Sequence, residues 1–357
     1  GAVIIQTLHR NIWLWSKGRG LYIKGFALQG VVGLPRFRVG DMERMARLRG
    51  SVSERCSVRM ALGLALSAFD PQDAVRFFGQ HGVGVQALES KTGLSDEFVF
   101  ENPGRVRGIV DADSSRVVST TLLLELDPPQ FAMLRELAFK DPVLTDAFGP
   151  SLLTLELKVG WVFTRDLSVG SCAINGLRLG QLDVPTSSEA FKALRPLLRG
   201  MAHRGMVARS ARDVSAQLLA ADRAADPVKR LAMEQIRTAL VRAPFSLGRL
   251  QIVEEGEASW LALGEGLVPV DAVGPAAWEV LALLCEVYLD PCEILITERP
   301  GLMLERASQV ERWLKGLLDL DGGPLEQVML LSRSQGHPIR VLETVSGRRT
   351  VARFPQS

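Results

Sequence analysis

Two short segments constrain the fold most: Glu293–Thr297 (EILIT) and Gln327–Ser332 (QVMLLS). Each is an apolar run with little alternation, the pattern of a strand buried on both faces. Between them, Leu304–Leu318 carries helical spacing, and Ala276–Leu289 supplies another helix ahead of the first run. Strand and helix therefore alternate after residue 276, which predicts a parallel sheet with flanking helices. With 357 residues, 47% of them hydrophobic, the chain can bury the core such a sheet needs, as one large domain or two ordinary ones.

The rest of the chain has a different texture. Leu21–Phe26 alternates as a strand does, Arg36–Val39 and Met45–Leu48 follow as two more, and Val58–Phe69 reads as a leucine-rich helix. A loop is expected to open at Gly50, between the last of these strands and the helix. Arg105–Asp111, Val117–Leu126 and Leu152–Val162 are rich in Val, Leu, Thr and Ile and separated by turn signals such as Asp127–Pro129, as antiparallel strands are. Ala173–Val184 adds a hairpin, with Asn175-Gly176 as its turn. Phe191–Ala243 is helical and arginine-rich, broken at Gly200, Gly205 and Pro227. Leu247–Val253 and Trp260–Leu263 read as strands. Ile339–Val345 and Thr350–Phe354 close the chain as a hairpin around Ser346-Gly347.

Composition excludes several functions. A net charge of +2 with 23% charged residues fits neither a disordered acidic tail nor a nucleic-acid coat. Cys56, Cys172, Cys285 and Cys292 form no CxxC pair, and the four histidines are scattered, so neither a zinc site nor a serine triad is indicated. Val3–Trp15 is too short and too interrupted to span a bilayer. The expectation is a cytoplasmic protein without a membrane partner.

Four motifs, in order, carry a resemblance. Leu48–Ser57 (LRGSVSERCS) follows a strand and precedes a helix. Val268–Leu284 (VPVDAVGPAAWEVLALL) joins a strand to a leucine-rich helix. Glu293–Leu314 (EILITERPGLMLERASQVERWL) follows a buried strand with an acidic residue, a proline and a helix headed by Gln309. Gln327–Gln335 (QVMLLSRSQ) is the last buried strand. Together they resemble the ABC-type ATPase heads of the RecF and overcoming-lysogenization-defect kind, P-loop NTPases with an AAA ATPase domain found in DNA-repair and phage-defence systems. The resemblance covers about residues 21–70 and 245–345.

That resemblance implies an α/β P-loop NTPase-like head with a mixed or parallel sheet, an antiparallel β subdomain and a helical insertion. It divides the chain into an extension (1–20), the first part of the head (21–80), the β subdomain (81–190), the insertion (191–244) and the rest of the head (245–357). It also places a degenerate nucleotide pocket. Gly50 matches the first glycine of the phosphate loop and Ser57 its final hydroxyl, but Arg55 and Cys56 replace the second glycine and the lysine. Gly274 and Ala276 take the places of the signature serine and glycine. Glu298 stands where an aspartate would hold magnesium, Arg299 where the catalytic glutamate would be, and Arg333 where the switch histidine would be.

The missing lysine removes charge-assisted contacts to the phosphates worth several kcal/mol. An arginine cannot act as the general base, a loss of ~100- to 10,000-fold. No catalytic residue and no cofactor are therefore expected. The expectation is a pseudo-ATPase acting as scaffold or regulatory subunit with a protein partner or as a homodimer. Two alternatives stand beside it: an active ATPase using ATP and Mg2+, and a nucleic-acid-binding module contacting phosphates through Arg204, Arg209 and Arg212.

Overall fold

The computed structural model describes residues 22–31, 34–40, 42–68, 71–88, 95–110, 116–125, 154–179, 182–185, 211–289, 294–297, 303–320, 325–333, 341–344 and 349–351, together with residue 136. The expected parallel arrangement is present. Strands β3 (Met45–Gly50), β13 (Ile294–Thr297) and β14 (Gln327–Arg333) run parallel in the order β13-β14-β3. The antiparallel pair β15 (Val341–Thr344) and β16 (Arg349–Val351) extends this sheet to five strands. Side chains of its parallel strands alternate between two cores. Ala46, Leu48, Ile294, Ile296, Met329 and Leu331 enter one. Met45, Leu295, Val328 and Leu330 enter the other. Burial on both faces is why these strands read as continuous apolar runs.

The first core is shared with an antiparallel sheet. It contains β1 (Tyr22–Val31), β2 (Leu34–Val39), β4 (Val85–Leu88), β5 (Ser95–Phe100), β6 (Val117–Glu125), β7 (Thr154–Phe163) and β8 (Val169–Leu179) in the order β2-β1-β6-β7-β8-β5-β4, with β9 (Leu182–Val184) on β8. β1 pairs with β6 over Tyr22–Gln29, so this sheet draws strands from both sides of residue 81. Helix α1 (Val52–Ser67) lies within this first core, contributing Val58, Ala61, Leu62, Leu64, Ala65 and Leu66. Helix α2 (Pro71–Gln80) packs on α1 through Phe77, while Phe78 meets Phe100 and Trp161 of the antiparallel sheet.

Two local expectations are corrected. Arg105–Asp111 is not a strand: Pro103 starts a one-turn helix, α3 (Pro103–Val106), and only Val110 makes an isolated bridge, to Val31. Asn175-Gly176 is not a hairpin turn. It lies inside β8, where the register against β7 shifts between Lys158 and Val159 and leaves Asn175 as the extra residue of a bulge.

The second core lies under α4 (Ala211–Asp222), α5 (Pro227–Val241), α7 (Pro275–Leu284) and α8 (Met303–Leu318). It also holds a three-stranded sheet of β10 (Leu250–Glu255), β11 (Ala258–Leu263) and β12 (Val268–Pro269). A short helix, α6 (Val270–Val273), leads from β12 to α7, and α7 widens into a π-helical turn at Cys285–Leu289. Among the described residues no helix is long and apolar enough to cross a membrane.

Candidate functional site

In an α/β sheet, ligands bind beyond the carboxyl ends of the parallel strands. Here β14 runs beside both β13 and β3, and Arg333 at its end pairs in register with Gly50 at the end of β3. Thr297, which ends β13, is paired with Leu330. The three ends therefore share one edge of the sheet. This edge carries Gly50 and Arg333, with α1 rising from it. Glu298 and Arg299 follow Thr297 in the chain and lie outside the described residues.

The expected loop after Gly50 is absent. One residue, Ser51, separates β3 from α1, so Arg55, Cys56 and Ser57 occupy the first turns of a helix. The reason is a capping box. The Ser51 hydroxyl accepts from the Glu54 backbone N–H at 3.3 Å, and the Glu54 carboxylate accepts from the Ser51 N–H at 2.9 Å. Arg55 folds back and donates from Nη1 to the Gly50 carbonyl at 2.7 Å. Arg55 is 6% exposed, Ser57 is also buried, and Cys56 is half-buried. An ideal Cβ on Gly50 would stand 3.0 Å from Glu54 Oε2, so the carboxylate sits directly over the end of the strand.

A phosphate loop works by offering free backbone N–H groups and a positive helix end to an anion. In this chain a carboxylate already takes that place. It complements the helix dipole and repels a second anion. Ser51 and Glu54 were not singled out from the sequence as site residues, although the S-x-x-E spacing of a capping box is visible there.

The signature-like residues lie on the other side of the parallel sheet. Gly274 sits between α6 and α7 with φ +99°, a conformation that favours glycine, and its carbonyl accepts from Ala277 N–H at 3.2 Å. Ala276 is exposed in the first turn of α7. Helix α7 belongs to the second core and α1 to the first, so Gly274 and Ala276 lie on the opposite side of the parallel sheet from Gly50 and the start of α1.

The arginine-rich segment is only partly described. Arg204 and Arg209 lie outside the described residues, and Arg212 is the second residue of α4. Further along, two of the arginines are paired. Arg237 bonds Asp222 at 2.6 Å and Glu234 at 2.9 Å, and Arg223 bonds Glu254 at 2.7 Å and the Ser259 hydroxyl. Among the described residues no cluster of three or more His, Cys, Asp or Glu side chains is placed to hold a metal ion.

Comparison with known proteins finds no family model that matches the chain and no match among curated proteins. The resemblance to ATPase heads accordingly stands on the four motifs and their order.

Proposed function

We propose that this chain is a non-hydrolysing, ATPase-like head that serves as a scaffold or regulatory subunit, working against a protein partner or a second copy of itself. The observation that carries this reading is the closed start of α1. The helix begins one residue after β3, and its Ser51–Glu54 capping box puts a carboxylate where a phosphate would need free N–H groups.

Three further features support it. The parallel order β13-β14-β3 is the frame on which three of the four motifs fall, with Gly50 and Arg333 level at one edge. Arg55, where the loop needs a glycine, is buried and committed to the Gly50 carbonyl. Arg299 follows β13 where hydrolysis needs a carboxylate base. The ion pairs of Arg223 and Arg237 lower the field available to a nucleic acid along α4 and α5.

Calorimetry with a non-hydrolysable ATP analogue and magnesium tests the proposal. The expected result is no heat of binding up to about millimolar ligand, near the weak end of specific affinities. Micromolar binding would overturn it. So would vanadate-sensitive phosphate release that disappears in Glu298→Ala. A salt-dependent shift of duplex DNA that charge reversal at Arg209 and Arg212 abolishes would replace the scaffold reading with nucleic-acid binding.

A further inference from the structure

We propose that the joint between α1 and α2 is a proton-operated latch, shut while His81 is neutral and released when its ring takes a proton. The geometry is a pair of matched turns. On α1, Arg59 and Gly63 lie one turn apart; at the end of α2, Phe77 and His81 do the same. The Phe77 ring lies so close over Gly63 that a Cβ there would meet Phe77 Cε2 at 2.5 Å. The His81 ring packs edge-on against Phe77 with centroids 4.7 Å apart.

Two nitrogens of this joint, Arg59 Nε and His81 Nε2, belong to side chains close enough for the Arg59 charge to act on the ring. Both are buried, and neither meets a hydrogen-bond partner among the described residues. In the neutral ring with its proton on Nδ1, Nε2 carries a bare lone pair and no charge. Protonation turns that nitrogen into a second donor and sets a second positive charge beside the guanidinium. The arginines around the joint oppose a second positive charge, whereas its carboxylates, Asp73 and Glu101, act in the other sense. From α1 comes Arg59. From α3, Arg105 donates to the carbonyl of Gly82, the next residue along, at 2.9 Å. Within α2, Asp73 and Arg76 approach one another at 3.7 Å, and Glu101 lies against Gly84.

Burial, and after it the Arg59 charge, hold the His81 pKa below the ordinary histidine value. The open form, with an unperturbed ring near pKa ~6.5, then binds more protons than the closed form. The joint is therefore fully closed above about pH 6.5 and weakens as pH falls through the closed-state value. Release acts on the turn after α2, where the amides of His81 and Val83 donate to the Phe78 carbonyl and that of Gly82 to the Gly79 carbonyl. It also acts on Phe78, which meets Phe100 and Trp161 edge-on at 4.8 and 5.4 Å and so ties α2 to the antiparallel sheet. The latch is independent of the nucleotide-site reading.

The test is the His81 midpoint by imidazole NMR, with hydrogen-exchange protection of the His81, Gly82 and Val83 amides between about pH 7.5 and about pH 5. The expected result is a midpoint below the unperturbed value, with protection falling up to about tenfold per pH unit in that window. Protection stays flat in His81→Phe, and the midpoint moves upward in Arg59→Gln. A wild-type midpoint at or above about 6.5 overturns the proposal. So does an equal loss of protection in a folded His81→Phe. If His81→Phe does not fold, an unmoved midpoint in Arg59→Gln overturns it.

Discussion

Replacing Gln327 tests how the two sheets are joined. Gln327 is wholly buried at the start of β14, and its amide treats Ile23 as a neighbouring strand would. The Ile23 N–H donates to Oε1 at 2.9 Å, while Nε2 donates to the Ile23 carbonyl at 2.8 Å and to the Glu43 carbonyl at 3.4 Å. Strand β2 covers β1 only between Phe26 and Val31, so beyond it the side chain of Gln327 continues the ladder, beside the Met42 N–H that donates to Lys24. Gln327→Met keeps the length and removes every one of these bonds. Two buried backbone groups of Ile23 lose a partner, at ~1–3 kcal/mol each, partly offset by the apolar character of methionine. The expected loss is about 3 kcal/mol, roughly two powers of ten in the folded-to-unfolded ratio. Urea unfolding measures the loss, and hydrogen exchange at the Ile23 amide localises it. A loss below about 0.5 kcal/mol, or an Ile23 amide as protected as before, would refute the reasoning, since that is the range of an ordinary surface change.

Two further outcomes follow from α1. Ser51→Ala removes one half of the capping box and is expected to cost about 1 kcal/mol, read by urea unfolding. An unchanged midpoint would show that the helix start is held by other groups. Gly63→Ala would ordinarily stabilise a helix by ~1 kcal/mol, but here its methyl meets the Phe77 ring, itself hemmed by Phe78 at 5.4 Å and His81 at 4.7 Å. A net loss of about 1–2 kcal/mol is expected, recovered in part by adding Phe77→Leu; a gain in stability would show that the ring has room to retreat.

What could be read in the sequence was what local pattern encodes. Strands β13 and β14 were legible because burial on two faces leaves an uninterrupted apolar run, and α8 because its apolar residues keep one face. Misread segments were those where a local signal served a different purpose. Val106, Ile109 and Val110 look like a strand, yet they are buried in and after a proline-started turn. Asn175-Gly176 is a turn dipeptide spent on a bulge, with the Asn175 amide lying over the Cα of Gly160. The pairing of β1 with β6 joins residues about a hundred positions apart, which no local window encodes. At the candidate site, the family template called for a loop after Gly50, while the Ser51–Glu54 spacing in the same residues called for a helix start, and the helix start prevailed.

That outcome bears on how such a head could be controlled. A ligand moves a conformational equilibrium only by binding one state better than the other. In a nucleotide-driven head the triphosphate supplies that difference at the edge where Gly50 and Arg333 meet. If Glu54 and Arg55 hold that edge permanently, the difference must come from elsewhere on the chain. Helix α1 has two ends: one is sealed by the capping box, and the other half of its length carries Arg59, Gly63 and the Leu64 carbonyl that accepts from Trp161 Nε1 at 3.0 Å. On the proposed reading, what remains to supply that difference is a partner that reads the surface around the α1–α2 joint. Changes that loosen α2 should alter partner binding, whereas changes at Glu298 should not.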